Sequence, residues 1–249
     1  MIASELRRNK WYKHQLLMNS PALVRFLPKS YRYSSENLWK LLNLYPDIIL
    51  KPVVGSGGVG IIKVSTVRDG VYHVQTSGVN EKAAGRDALI ALITRLKGKR
   101  TLIIQYCIQL ASVDGKLIDF RYIVQREKGE SKWIITGKHA KIGKKGSVVT
   151  NLQQGANVET VRRALQQAHI KNIGKTMADL DYLSLKASKV FSRTFKAQTI
   201  WGYDLAVDVN GRVWMIEANC TPMVGGFRYL KDRSMYRTIR RYQAMNRKQ

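Results

Sequence analysis

Cysteine is nearly missing from this chain of 249 residues, which has only Cys107 and Cys220. Neither belongs to a CxxC pair or lies near clustered histidines, which argues against a disulfide scaffold and a cysteine-based zinc site. Each reads as a reduced thiol in or beside an apolar segment. The four histidines, His14, His73, His139 and His169, are scattered without metal-ligand spacing. No apolar run approaches the roughly 18 to 20 residues a bilayer span needs. The N-terminus mixes Arg7, Arg8, Lys10 and Lys13 with polar residues instead of building a signal-peptide core, so a cytoplasmic protein is expected. Internal repeats and low-complexity linkers are also missing, which favours one continuous unit over a string of modules.

Acidic residues are scarce as well. Asp and Glu number 17 against 43 Lys and Arg, leaving a formal charge of +26. Such a field concentrates polyanions, so nucleotides, acidic peptides, nucleic acid and anionic surfaces are all admissible partners. The basic residues are spread along the chain without an RNP-like aromatic motif or zinc-finger spacing, which disfavours dedicated nucleic-acid recognition.

What is present is a mixed order of elements. Hydrophobic content of 45% supplies a real core. Ser34 or Ser35 caps an expected helix that runs to Pro46, and a short strand follows over 47–51. The glycine-rich stretch 55–60 leads into a β-branched run at 61–67, an Arg-Asp-Gly turn, and a second strand over 71–75. Residues 81–97 read as a helix and 101–107 as a buried strand. Strands are expected over 116–126 and 131–141, and mostly helix over 158–197 with a break near Gly174. A last hairpin pairs 203–209 with 212–218 around Asn210-Gly211, whose two turn positions favour positive φ. A basic helix over 231–247 closes the chain. The order implies an α+β fold with antiparallel sheets carrying loops over a cleft.

Gly55-Ser56-Gly57-Gly58-Val59-Gly60 fits GxGxxG, but it opens a strand and not a helix, which disfavours a Rossmann site; Ile61 and Ile62 follow where a Walker A loop needs Lys and Ser/Thr. Between two antiparallel strands, such a loop can act as a flap whose backbone N–H groups approach phosphate oxygens. Lys51, just before it, adds a positive charge. The plainer reading is a glycine turn with a solvated lysine. A protein kinase shares this strand, loop and strand, but HRD and DFG motifs are missing, and Asp119-Phe120-Arg121 is not a DFG.

The segment 202–219 carries most of the chemistry. Alternate side chains of a strand share a face, so Glu217 and Asn219 point the same way. Asp204 lies on the partner strand near that end of the hairpin. Three hard oxygen ligands thereby converge, which suits Mg²⁺ bound jointly with substrate phosphates. Leu205, Val207, Val213, Trp214 and Ile216 anchor the hairpin in a core, which makes a surface hairpin with ordinary acidic residues the weaker reading. Asp208 beside the turn shapes it.

With these residues in view, the chain resembles the ATP-grasp superfamily over about residues 51–242, and within it the YheC/YheD group, named for association with the endospore coat. Asp204, Glu217 and Asn219 followed by Thr221-Pro222 carry the likeness, the two carboxylates standing 13 positions apart (217 − 204) as in D-alanine ligase-like members. The resemblance implies an ATP-grasp fold of two α+β lobes holding a nucleotide between antiparallel sheets: an N-terminal segment over 1–46, a lobe with the glycine-rich loop over 47–110, and a lobe with the metal site and basic helix over 111–249. It implies that Lys51 and residues 55–60 meet the ATP phosphates, and that Gln105, Tyr106, Cys107 and Ile108 line the adenine at a hinge. Asp119 and Arg121 match a DxR strand, with Arg121 holding an acyl phosphate or carboxylate. Asn151 and Gly155 match the loop that follows. Plainer roles exist for each: Gln105 as a strand residue, Asp119 and Arg121 as a structural ion pair, Asn151 as a turn former. The chain departs from the pattern by offering Lys138 and Lys141 where relatives commonly carry an arginine. The region before Lys51 is short beside the N-terminal substrate domain of many such ligases.

The function implied is an ATP- and Mg²⁺-dependent carboxylate–amine or peptide ligase working through an acyl phosphate, with an acidic peptide or other polyanion as a fitting partner for the positive surface. A non-catalytic nucleotide-binding coat or scaffold protein, a basic nucleic-acid-binding module, and a kinase with a hydroxyl acceptor are the alternatives.

Overall fold

The computed structural model describes residues 3–55, 57–144 and 157–248. Ser56, Asn151 and Gly155 lie outside them. The chain forms two compact units, one of Pro28–Ile108 and one of Met1–Leu27 together with Gln109–Gln249. Residues 1–46, expected as one segment, are thus divided between the two.

Three short helices open the chain in the larger unit: α1 (Ala3–Arg8), α2 (Lys10–Met18) and α3 (Pro21–Val24). The side chain of Asn9 caps α2 by accepting from the Tyr12 amide.

The smaller unit contains β1 (Ser30–Arg32), α4 (Ser35–Leu42), β2 (Asp47–Pro52), β3 (Ile62–Arg68), β4 (Val71–Gln75), β5 (Asn80–Ala84), α5 (Arg86–Lys97) and β6 (Leu102–Tyr106). Its strands form one antiparallel sheet in the order β1-β6-β2-β3-β4-β5. Alternation in β2 and β6 buries Ile48, Leu50 and Ile104 against Leu38 and Leu41 of α4 and Leu89 and Ile93 of α5. Each such side chain contributes about 1.5–3 kcal/mol of burial. Ser34 caps α4 as expected, accepting from the Asn37 amide. The expected helix over 81–97 is in fact a strand and then a helix. Pairing of Ala83 and Ala84 with β4 overrides the helix preference of alanine, and Gly85, at φ +88°, turns the chain into α5.

The larger unit continues with β7 (Ser112–Val113), β8 (Lys116–Gln125), β9 (Ile134–Ile142), β10 (Asn157–Glu159), α6 (Val161–Gln167), α7 (Ile173–Thr194), β11 (Ile200–Val207), β12 (Val213–Asn219), a 3₁₀ turn (Gly225–Arg228) and α8 (Ser234–Lys248). Its sheet runs β10-β9-β8-β11-β12, with β7 paired to β8. The helical break expected near Gly174 falls earlier, at 168–172, where His169 takes φ +53° and Asn172 caps α7; Gly174 lies inside α7.

One face of this sheet packs Phe120, Tyr122, Tyr203 and Leu205 with Leu180, Leu183, Ala187 and Phe191 of α7. The opposite face is covered at one end by Phe227, Leu230 and Ile239, which pack with Ile123. Gly137 permits that cover, because a Cβ there would stand 2.6 Å from the Phe227 ring and 2.7 Å from Ile239. The rest of this second face carries the polar residues described next. Among the described residues no helix is long and apolar enough to cross a membrane.

Candidate active site

Strand register assembles a polar row across the second face. His139 of β9 pairs with Arg121 of β8, Arg121 with Asp204 of β11, and Asp204 with Glu217 of β12. Directly paired residues share a face, so all four side chains project from the same side. Two residues along the strands, Lys141 pairs with Asp119 and Asn219 with Gly202, extending the row into a patch.

Glu217 reaches that face through a bulge. Val213 and Met215 point into the α7 core, and strict alternation would send Glu217 after them. The pairing instead shifts between Leu205↔Met215 and Asp204↔Glu217, leaving Ile216 as an extra residue. Ala218 therefore takes the core side, and Glu217 and Asn219 the polar side.

The patch is held by charge. Arg121 Nη2 lies 3.1 Å from Asp204 Oδ1, and Lys141 Nζ lies 3.4 Å from the same oxygen and 2.8 Å from Asp119 Oδ1. Asn219 Nδ2 donates to Asp204 Oδ2 at 3.0 Å. Burial alone would raise the Asp204 pKa, but Arg121, Lys141 and Asn219 together hold it below the usual carboxylate value. Burial likewise opposes the charge on Lys141, and Asp204 and Asp119 outweigh it, so its pKa is raised. His139 is pushed down to about 4, mainly by burial, and is neutral near pH 7. Arg121 Nη1 is buried and has no hydrogen-bond partner among the described residues. It faces the narrow space beside Gly202, 3.2 Å from where a Cβ would stand.

Helix α2 adds two lysines that sequence reasoning missed. Lys10 Nζ lies 3.3 Å from Glu217 Oε1, with its side chain 9% exposed. Lys13, one helical turn on, is buried and its Nζ donates to the carbonyl of Ala218. Burial lowers the Lys13 pKa to about 8, with Glu217 acting in the opposite direction. The i, i+3 and i+7 spacing of Lys10, Lys13 and buried Leu17 was the available signal, a stripe with lysine in two apolar positions.

The rest of the hairpin fixes this geometry. Asp208 Oδ1 accepts from the amides of Asn210 and Arg212, and Oδ2 accepts from Trp214 Nε1 at 2.9 Å. The turn is wider than the two-residue form expected, and only Gly211 of the Asn210-Gly211 pair has positive φ. After β12, Pro222 folds back so closely that a Cβ on Gly202 would stand 2.3 Å from its own Cβ.

The other candidates lie in the smaller unit. The loop joining β2 and β3 includes Gly55, Gly57, Gly58 and Gly60, all at positive φ. At Gly60 a Cβ would also collide with Arg100 Nη1 at 2.2 Å. Lys51 is the next-to-last residue of β2, and register places it on the same sheet face as Gln105 of β6, both of them buried. Tyr106 stacks obliquely on Tyr45 at 4.5 Å, and the Cys107 amide bonds to the Asp47 carbonyl. Burial raises the Cys107 thiol to about 11, so it is not a thiolate at neutral pH. Ile108 ends this unit.

Chemically, the patch offers three carboxylates and one amide on a single face; Asp119 lies closest to Lys141, and Asp204, Glu217 and Asn219 make up the candidate donor set. Among the described residues no point gathers three or more His, Cys, Asp or Glu side chains. That donor set does not make a closed cage; it suits a hard cation that keeps other oxygen ligands, phosphate included.

Comparison with known proteins decides the family. A family model described as YheC/D-like ATP-grasp matches residues 1–244. The chain belongs to the YheC/D-like ATP-grasp family. The endospore coat-associated protein YheD of Bacillus subtilis (strain 168) is 30% identical over 222 residues, covering 86% of this chain and 48% of YheD. YheC of the same organism is 20% identical over 219 residues, covering 86% of this chain and 60% of YheC. The chain thus spans about half the length of these relatives. The ATP-grasp ligase PsnB, complexed with a minimal precursor, superposes with a TM-score of 0.56 at 15% identity, over 98% of this chain and 62% of PsnB. D-alanyl-alanine synthetase A from Vibrio cholerae gives a TM-score of 0.59 at 12% identity, over 99% of this chain and 67% of that one. The ATP-grasp fold expected from the sequence is therefore found, in an α+β chain with two antiparallel sheets.

Proposed function

We propose that this YheC/D-like chain is an ATP- and Mg²⁺-dependent ligase joining a carboxylate to an amine. The observation that carries the reading is the direct pairing of Asp204 with Glu217, with Asn219 on the same face, inside a family whose structural neighbours include ATP-dependent ligases. Glu217, Asp204 and Asn219 would hold Mg²⁺, which when bound would neutralise phosphate charge and orient the γ-phosphoryl group.

In this reading a substrate carboxylate oxygen attacks the γ-phosphorus, ADP leaves, and an amine then attacks the acyl phosphate and expels inorganic phosphate. Arg121 is suited to the developing negative charge, because its buried Nη1 has hydrogen-bonding capacity to give an incoming oxygen. Lys141, clamped between Asp119 and Asp204, keeps Asp204 ionised and in place. In the smaller unit, Lys51 and the glycine loop would contact the phosphates, and Gln105, Tyr106, Cys107 and Ile108 the adenine. The exposed Arg237, Arg240, Arg241 and Arg247 on α8 fit an acidic peptide acceptor or carboxylate donor.

The test is incubation with ATP, Mg²⁺ and pooled amino acids or acidic peptides, following ADP release and product mass. Substrate-dependent ADP release with a product mass showing loss of water is expected, abolished in Glu217→Gln. Folded wild-type protein that binds no nucleotide under any condition overturns the reading.

A further inference from the structure

Glu217 already has a cation beside it. The Lys10 ammonium stands 3.3 Å from Oε1 and is nearly buried, so it is not an idle surface charge. Its backbone is fixed, since Lys13 bonds to the Ala218 carbonyl and Leu17 enters the core, leaving only the Lys10 side chain to move. A divalent ion on Glu217 and an ammonium at that distance would repel each other, with little water to screen them where the two side chains are only 9% and 20% exposed. Asp204 is countered in the same way by Arg121 and Lys141. Each carboxylate of the donor set therefore has a protein cation at hand, and Arg121 Nη1 still has donor capacity to spare. This balance disfavours a bare metal ion and favours a metal that arrives with its own negative charge.

We propose that Lys10 is an exchange residue that pairs with Glu217 in the resting protein and moves to a phosphate oxygen when metal and nucleotide enter together. It thereby makes the site selective for the metal–nucleotide complex over the free ion. This rests on the reading of Glu217 as a metal ligand. Lys10 then has two opposing effects, competing with free metal for Glu217 and adding a contact to the bound triphosphate.

The experiment measures Mn²⁺ binding by electron paramagnetic resonance, with and without a non-hydrolysable ATP analogue, for wild type, Lys10→Gln and Lys10→Arg, with folding checked by circular dichroism. Lys10→Gln is expected to bind free Mn²⁺ about tenfold more tightly than wild type and the Mn²⁺–analogue complex about tenfold more weakly. Lys10→Arg, which keeps the charge, should stay near wild type in both. Changes of the same sign in both titrations, or no change in either, overturn the role of Lys10 while leaving the metal site standing. If wild type and variants bind neither Mn²⁺ nor its analogue complex, the metal reading itself fails and this inference with it.

Discussion

Asp204 and Glu217 face each other across the β11–β12 ladder only because Ile216 is bulged out between them and the apolar end of the hairpin. Deleting Ile216 would restore regular alternation from Met215 and still leave the glutamate opposite Asp204. The shortened protein should remain folded, with stability within about 2 kcal/mol of wild type by urea denaturation. If Ile216 instead held a regular ladder position, the deletion would flip every residue after Met215 to the opposite face of the sheet, and the hairpin would lose its packing.

The closeness of Pro222 makes Gly202 a steric requirement. Gly202→Ala should cost about 1–3 kcal/mol in thermal or urea unfolding, as overpacking does. Gly174→Ala is the control, because nothing lies within 4 Å of its missing Cβ and it sits in the first turn of α7. That substitution should be neutral or stabilise by up to about 1 kcal/mol.

Asp208 joins the turn to the hairpin through three hydrogen bonds, one of them to the buried Trp214 Nε1. Asp208→Ala leaves that indole donor without its acceptor and should destabilise by about 2–4 kcal/mol. Asp208→Asn, which keeps an oxygen acceptor, should recover part of the loss. Unfolding followed by tryptophan fluorescence compares the two.

The buried Lys13 gives stability a pH signature. Its folded pKa of about 8 lies below the ordinary 10.5, so between those values the unfolded chain binds a proton that the folded chain does not. Stability linked to this group therefore rises with pH across that window. Relative to Lys13→Met, wild type should gain on the order of 2 kcal/mol between pH 7.5 and pH 10. Comparing the two proteins cancels the tyrosines and Lys141, which they share. A flat difference across the window would contradict the burial cost.

Much of the fold was legible because local signals agreed with it. Ser34 capped its helix, the Arg68-Asp69-Gly70 turn joined β3 to β4, and the strands expected over 47–51, 101–107 and 116–126 are β2, β6 and β8. The failures came where distant pairing outweighed local preference. Ala83 and Ala84 read as helix but are held by β4, and the Asn210-Gly211 turn was widened by the hydrogen bonds of Asp208. Among site residues, Asp204, Glu217 and Asn219 stood out by spacing, but the Ile216 bulge that sets their common face leaves no mark in the sequence. Lys10 and Lys13 were passed over because in the sequence they served only to argue against a signal-peptide core; the fold of α2 against β12 gives them partners.

In the proposed ligase, Glu217 acts through a metal ion on a bound nucleotide. Isothermal titration of wild type and Glu217→Gln with a non-hydrolysable ATP analogue, in Mg²⁺ and then in EDTA, tests that directly. Wild type should bind in Mg²⁺ and lose at least about tenfold in affinity when the ion is removed, while the variant should bind weakly and equally in both. Equal Mg²⁺ dependence in the two proteins would contradict it.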